Sequence, residues 1–364
     1  MKIVVCGTRG FPNIQGGVET HCEELYPRVA ALGYEIVVVR RKGYVEKGSP
    51  LSCRGVAFKD TFAPRVVALE SVWHTAIGVL CAKWEKADLL HIHAVGPSIV
   101  IPIAKLLGLR VVVTHHGPDY ERKQWNFFAR FFIKLGERMA ARYANEIIAI
   151  SPVICNILSN KYRRTKHVHL IYNGVNIPAS IPDTSYINSL GLEANRYILA
   201  VGRFVEEKNF DHLVETYSTM EEARSYKLAI AGDSDIETAY SRELKAKAKE
   251  KGVVLAGMVK GEKLAGLYAH AALFVLPSSH EGLPITLLEA MSYRRKVVVS
   301  NIQANRAVGL EPYCYFESGD WDDFRTSMSR QLEASNKDAA YDLSKYNWDT
   351  IAASTAAVYD TLAR

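Results

Sequence analysis

The feature that most constrains this chain is a regular alternation of short, apolar, β-branched runs with longer stretches of helical periodicity. Strand-like runs stand at 2–6 (KIVVC), 35–39, 55–59, 88–93, 110–115, 146–151 and 168–172. A second series follows at 196–202, 227–232, 253–257, 272–277, 296–300 and 314–316. Strands that are apolar along their whole length belong to parallel sheets covered by helices on both faces. The alternation pauses across 173–195, where Pro178, Pro182, Asn188 and Gly191 fall. The expectation is two doubly wound α/β units, an N-terminal Rossmann-like domain over 1–172 and a C-terminal one over 173–347, and 364 residues suffice for two cores.

Composition narrows the function class. No run of about 18 uncharged apolar residues occurs, which excludes a spanning helix. The opening MKIVVCG enters a strand pattern at once, so the expected location is the cytoplasm. The six cysteines are scattered, with no CxxC pair and no linear Cys/His cluster. Neither a zinc site nor a disulfide framework is expected from them. Charge is uneven: residues 1–172 hold 24 Lys and Arg against 13 Asp and Glu, and the remainder 21 against 26, giving +6 overall. The first half should favour an anionic partner. The basic residues come with no recognition module for nucleic acid, so nucleic acid is not the expected partner.

Ligands of open α/β sheets bind at the carboxyl ends of strands, and four constellations stand there. GTRGFPNIQGGVET follows strand 2–6, with Gly7, Gly10, Gly16 and Gly17 in a loop that leads into a helix near Val18. Such a loop can bring backbone N–H groups against an anion, or it can serve only as a tight turn. It is neither GxGxxG nor a P-loop. His115 and His116 end strand 110–115; one could meet a sugar hydroxyl or act as a base, or both could be packed and solvated bystanders. Gly202, Arg203 and Lys208 follow strand 196–202, two cations suited to a diphosphate or to pairing with Glu206 and Glu207. The sharpest pattern is HEGLPITLLEAMS after strand 272–277: Glu281 lies in a loop, and Glu289 on the second turn of a helix starting near Pro284. A helix N-terminus beside two carboxylates fits a phosphate flanked by sugar diols.

Taken together, these segments resemble glycosyltransferase family 4, the retaining sugar-nucleotide transferases of GT-B architecture. The resemblance spans nearly the whole chain. It rests on EGLPITLLE with its E-x7-E spacing, and on His116-Gly117, NGVN (Asn173 to Asn176) and GRFVEEKN before it, standing along the chain in the family's expected order. It implies two Rossmann-like domains facing a cleft, with the closing segment 348–364 as a helix crossing back to complete the first. It also implies roles. Arg203 and Lys208 would neutralise the donor diphosphate in place of a metal, so no cofactor and no metal are expected. Glu289 would bind the ribose diol. Glu281, with the backbone of Gly282, Leu283 and Pro284, would hold the donor sugar. His116 would contact the donor near its reacting carbon. Gly16, Gly17 and Gly202 would let backbone approach the donor.

Two departures stand out. Arg294-Arg295-Lys296 replaces a turn that often carries Gly, and Asn301 to Arg306 replaces a GG-x-x-E loop. The opening GTRGFP resembles a sub-branch that includes rhamnosyltransferases. An Asp233-Ser234-Asp235 triplet mimics a metal-binding DxD motif but reads as a plain loop. The stretch 120–144 mixes Arg122, Lys123, Arg130, Lys134, Arg138 and Arg142 with Trp125 and four phenylalanines. As a helix it has aromatics over a wider arc than one core face needs, which suits the inner face of an anionic membrane and a polyprenyl-diphosphate-linked acceptor. It also suits a buried helix with a solvated basic side. The function class is transfer from a nucleoside-diphosphate sugar to a glycan or lipid-linked glycan of a bacterial surface polysaccharide. A nucleotide-sugar epimerase or a non-catalytic nucleotide-sugar-binding protein on the same fold is the alternative.

Overall fold

The computed structural model describes residues 1–64, 69–122, 125–234, 237–334 and 338–363. The chain divides into two compact units, Met1–Gly174 with Tyr346–Arg364, and Val175–Lys345.

The first unit holds strands β1 (Lys2–Cys6), β2 (Glu35–Arg41), β3 (Ser52–Cys53), β4 (Val56–Thr61), β5 (Leu89–His93), β6 (Val111–His115), β7 (Glu146–Ala149) and β8 (Val168–Leu170). Its helices are α1 (Gly17–Ala31), α2 (Leu69–Trp84), α3 (Ile101–Leu106), α4 (Phe127–Tyr143) and α5 (Pro152–Tyr162). The sheet order is β3-β4-β2-β1-β5-β6-β7-β8, parallel except for β3. That two-residue strand has no periodicity to read from sequence. It exists because Arg54 and Gly55 (φ 47° and 81°) turn the chain back on β4, the left-handed pair that a tight hairpin needs.

The second unit holds α6 (Ser185–Ser189), β9 (Tyr197–Val201), α7 (Phe210–Ser218), β10 (Lys227–Ala231), α8 (Ala239–Glu250), β11 (Val254–Gly257), α9 (Gly261–His270), β12 (Leu273–Leu276), α10 (Ile285–Ser292), β13 (Lys296–Ser300), α11 (Gln303–Arg306), β14 (Tyr315–Phe316) and α12 (Trp321–Glu333). Its sheet order is β11-β10-β9-β12-β13-β14, all parallel. Central strands β1, β5, β6, β9 and β12 are buried almost end to end, which is why they read as unbroken apolar runs.

The last helix, α13 (Trp348–Asp360), belongs to the first unit. Asn347 caps it, its side chain accepting from the N–H groups of Asp349 and Thr350. Its apolar face enters the first core with Trp348, Ile351, Val358 and Tyr359. At its exposed edge Arg28 meets Asp349 at 3.0 Å and Tyr34 donates to Asp360 at 2.6 Å. Among the described residues no helix is long and apolar enough to cross a membrane.

Both sheets reverse their strand order once near the middle, between β1 and β5 in the first and between β9 and β12 in the second. Crossover helices leave to opposite faces at such a point, so a crevice opens beyond the carboxyl ends. The special residues of the sequence cluster at those two points.

Candidate functional site

In the second unit, β9 ends at Val201 and β12 at Leu276. The loop after β9 carries Gly202, Arg203 and Lys208; the loop after β12 carries Glu281. Lys208 Nζ lies 2.5 Å from Glu281 Oε1, with both side chains largely covered. Gly202 makes this reach workable: a Cβ there would stand 3.3 Å from the Lys208 side chain and 3.2 Å from the Phe210 ring. The two loops are tied together by Ser279 N–H donating to the Glu207 carbonyl at 2.8 Å and by the Asn209 amide donating to the Pro277 carbonyl at 2.8 Å. Helix α10 then starts after Pro284, with Leu283 and Ile285 buried. Glu289 falls on its second turn, as the spacing predicts, and accepts from the Tyr268 hydroxyl of α9 at 2.8 Å. The fold therefore gathers Gly202, Arg203, Lys208 and Glu281 at one crevice, with Gly282 to Glu289 leading away from it. Of the DxD-like triplet, Asp233 binds Lys245 at 2.7 Å and its own Ser234 N–H; Asp235 lies outside the described residues.

In the first unit, the glycine loop wraps a buried ion pair. Glu19 on α1 accepts from Thr8, from the Arg9 N–H at 3.0 Å and from the Arg9 guanidinium at 3.2 Å. Burial alone would raise the Glu19 carboxyl; the Arg9 charge and hydrogen bonds more than offset it and hold the group at about 2. Gly16 has φ 144°, and a Cβ there would lie 2.1 Å from Glu19 Oε2 and 2.6 Å from the Arg9 guanidinium. Gly17 has open space around it. The two glycines thus differ: Gly16 closes the loop on its own ion pair, and Gly17 leaves room on the outside.

The two consecutive histidines also part company. His115 is fully buried and lies 3.1 Å from Glu137 on α4, whose other oxygen accepts from Lys161 at 2.5 Å and Tyr162 at 2.6 Å. His115 is a packed strut between β6, α4 and α5. His116, partly exposed, turns into a histidine cluster that sequence reasoning missed. Its Nε2 lies 2.9 Å from His93 Nδ1. His93 Nε2 meets the Tyr26 hydroxyl, which lies 3.0 Å from His91 Nδ1, itself 2.6 Å from the Tyr359 hydroxyl of α13. His21 of α1 packs edge-on to His116 at 5.0 Å and bonds Asn173 through Nδ1 at 2.9 Å. Burial first, then the neighbouring imidazoles, push these groups down from the usual 6.5: His21, His91 and His116 to about 3, and His93 well below its ordinary value. Four histidines from three elements share no local motif. Only the alternation in DLLHIH, placing His91 and His93 on one face of β5, hinted at them.

The NGVN step finds its reason here too. Asn173 holds His21, and Gly174 lets Trp348 of α13 approach, since a Cβ would stand 2.4 Å from the indole. Helix α4 begins only at Phe127, capped by Asn126 accepting from the Ala129 N–H at 2.9 Å, so it is shorter than the 120–144 stretch. Its buried side is Ala129, Ile133, Gly136, Glu137, Ala140 and Ala141. Phe127, Phe128, Phe131 and Phe132 are exposed by 79%, 71%, 56% and 48%. They lie beside exposed Arg130, Lys134, Arg138 and Arg142, whereas Lys123 lies outside the described residues.

Known proteins share this arrangement of sequence. A family model described as Glycosyltransferase Family 4 matches residues 15–178, and one described as Glycosyl transferases group 1 matches residues 195–334. This chain is a family 4-type glycosyltransferase. An uncharacterized glycosyltransferase of Methanocaldococcus jannaschii is 25% identical over 99% of this chain and 98% of its own. A UDP-Gal:alpha-D-GlcNAc-diphosphoundecaprenol alpha-1,3-galactosyltransferase of Escherichia coli is 28% identical over 68% of this chain and 67% of its own. The fold is GT-B: the Anabaena HepE protein, solved with UDP and glucose, superposes with a TM-score of 0.80 at 18% identity over 99% of this chain and 100% of its own.

Within that family, the two departures have local explanations. Arg294 adopts φ 59°, the left-handed conformation for which Gly is the usual choice. Arg295 is buried as a brace, donating to the Tyr293 and Ala271 carbonyls and to Asp338 at 2.6 Å. In the glycosyltransferase's substituted loop, the Asn305 amide donates to the Ser300 carbonyl at 2.9 Å, closing α11 onto the end of β13.

Proposed function

We propose that this glycosyltransferase moves a sugar, with retention of anomeric configuration, from a nucleoside-diphosphate sugar to a glycan or polyprenyl-diphosphate-linked glycan in the synthesis of a bacterial surface polysaccharide. The observation that carries the reading is the Lys208–Glu281 pair at 2.5 Å, formed from the loop that also carries Arg203, at the β9/β12 switch point. The names of the relatives support it, since the E. coli enzyme is named for a UDP-linked donor and a diphosphoundecaprenol acceptor and HepE was solved with UDP and glucose.

The cleavage adds one negative charge to the departing nucleoside diphosphate as the sugar becomes oxocarbenium-like. Fixed cations aimed at that charge are the dominant source of acceleration. Lys208 exchanges Glu281 for the diphosphate as donor arrives, and Arg203 supplies the second cation, so no metal is assigned. Glu281, released, accepts from a sugar hydroxyl, helped by the backbone of Gly282, Leu283 and Pro284. Glu289 accepts from the ribose diol in place of Tyr268. His116 contacts the sugar near its reacting carbon, and the Gly16-Gly17 loop lies against the donor phosphate and acceptor. The acceptor oxygen attacks from the face the leaving group departs: its bond to the anomeric carbon forms as the carbon–phosphate oxygen bond breaks, and a donor phosphate oxygen takes the acceptor proton. No separate protein base is required.

The acceptor side is assigned to the basic first unit, with α4 resting its exposed phenylalanines on the inner, anionic face of the cell membrane. The GTRGFP opening makes a deoxyhexose the first donor to try. The test is a nucleotide-sugar panel read by thermal shift, followed by transfer to a lipid-linked acceptor in excess EDTA. The expected result is acceptor-dependent transfer that survives the chelator. Turnover of the donor to free sugar without acceptor, as an epimerase or hydrolase gives, would overturn the reading.

A further inference from the structure

The histidine cluster beneath the β1/β5 switch point has a property that sugar transfer does not call for. One ring nitrogen from each of His21, His93 and His116 lies within 4.8 Å of the others, the one such group of three among the described residues. Its members come from α1, from the end of β5 and from the step after β6. We propose that these three imidazoles form a binding site for a divalent zinc-class cation.

Three observations carry this. First, His21 Nε2 is buried and has no hydrogen-bond partner among the described residues. Such an orphaned acceptor or donor is costly unless something fills the gap. Its other nitrogen bonds the Asn173 side-chain oxygen, which requires hydrogen on Nδ1 and so leaves a lone pair on Nε2. Second, the outer contacts are those of ligating histidines, whose second nitrogen is held by a polar neighbour: Asn173 for His21 and the Tyr26 hydroxyl for His93. Third, the span is close, the three nitrogens lying within 4.8 Å of one another. Zinc with bonds of about 2.0–2.1 Å to three nitrogens sets them roughly 3.4 Å apart. The His93–His116 nitrogens, 2.9 Å apart across a hydrogen bond, need open by only a few tenths of an ångström once the shared proton leaves. His116, the one member that is partly exposed, gives the ion its way in, and a fourth position stays open to water as in a three-histidine site. Two buried carboxylates of the first unit are engaged elsewhere, Glu19 by Arg9 and Glu137 by Lys161. The ligand set is thus three neutral nitrogens, which suits zinc, cobalt, nickel or copper and not magnesium or calcium.

One consequence rests on the proposed function: a cation on His116 removes it from the donor sugar, so zinc inhibits transfer. The site itself does not depend on that reading. The experiment uses tag-free full-length protein titrated with Co2+, followed by its visible absorption, and with Zn2+ in calorimetry. The expected outcome is one equivalent bound with the intense visible bands of four-coordinate cobalt, displaced by zinc. His116→Ala and His21→Gln should each weaken binding by about tenfold or more, and the surface variant His212→Ala should not. His116 is partly exposed, so its variant tests the site even where His21→Gln fails to fold. Absence of those bands, or affinity unchanged in His116→Ala, would overturn the site. Tight binding that leaves transfer uninhibited would instead remove His116 from the donor contact and leave the site standing.

Discussion

At the scale of single residues, neighbouring letters of one motif do different work. Gly16 and Gly17 look alike in sequence, yet only Gly16 combines positive φ with a Cβ position filled by the Arg9–Glu19 pair. Gly16→Ala should therefore destabilise by about 1–3 kcal/mol. Gly17→Ala should be neutral or gain about 0.5–1 kcal/mol as the first residue of α1; equal losses in urea titration would contradict the distinction. Glu289→Gln keeps a partner for Tyr268 but loses the charge proposed to face the ribose, so nucleoside-diphosphate affinity should fall by about 1–3 kcal/mol with the melting temperature little changed. The histidines set the pH response. Their folded values sit near 3 against 6.5 unfolded, so the unfolded chain binds protons that the folded one refuses. The stability they protect is complete above about pH 6.5 and is lost progressively as pH falls toward 3. The melting temperature should already decline between about pH 6.5 and about pH 5, above the carboxylate range; a flat profile there would contradict the buried, uncharged cluster.

At the scale of elements, the strands were legible because each central one is buried on both faces, and burial on both faces writes an unbroken apolar run. Glu289 was legible for a similar reason, since Pro284 marks the start of α10 and eight residues from Glu281 place it on the second turn. The hairpin strand β3 was not, because its two residues depend on the Arg54-Gly55 turn. Nor was the histidine cluster, whose members are spread over α1, β5 and the residue just after β6 and meet only through sheet order. Helix α4 shows where sequence left two readings open: its phenylalanines are exposed, and its buried side holds Ile133 and Glu137 among small residues, of which Gly136 passes the Val95 carbonyl, 2.2 Å from where its Cβ would be. Phe127→Ser with Phe131→Ser should leave the melting temperature unchanged and abolish sedimentation with anionic vesicles at low salt. Wild-type protein that stays in the supernatant would sink the membrane role.

At the scale of the whole molecule, the division of labour follows the charge count. The basic first unit, closed by α13, carries the histidines and the exposed aromatic helix, and the more acidic second unit carries the Lys208–Glu281 crevice. Two doubly wound sheets each supply a switch point, and the four motifs that resembled family 4 lie along those points and the segment joining the units. The central claim is that fixed positive charge in the second unit grips a pyrophosphoryl group. Calorimetry with a nucleoside diphosphate and the matching nucleoside, on wild-type protein and on Lys208→Ala, tests it most directly. The diphosphate should bind wild type far more tightly than the nucleoside, and Lys208→Ala should lose about 1.5–3 kcal/mol of that advantage while its nucleoside affinity is unchanged. An advantage for the diphosphate that is undiminished in a folded Lys208→Ala protein, or no advantage in wild type, would contradict the account.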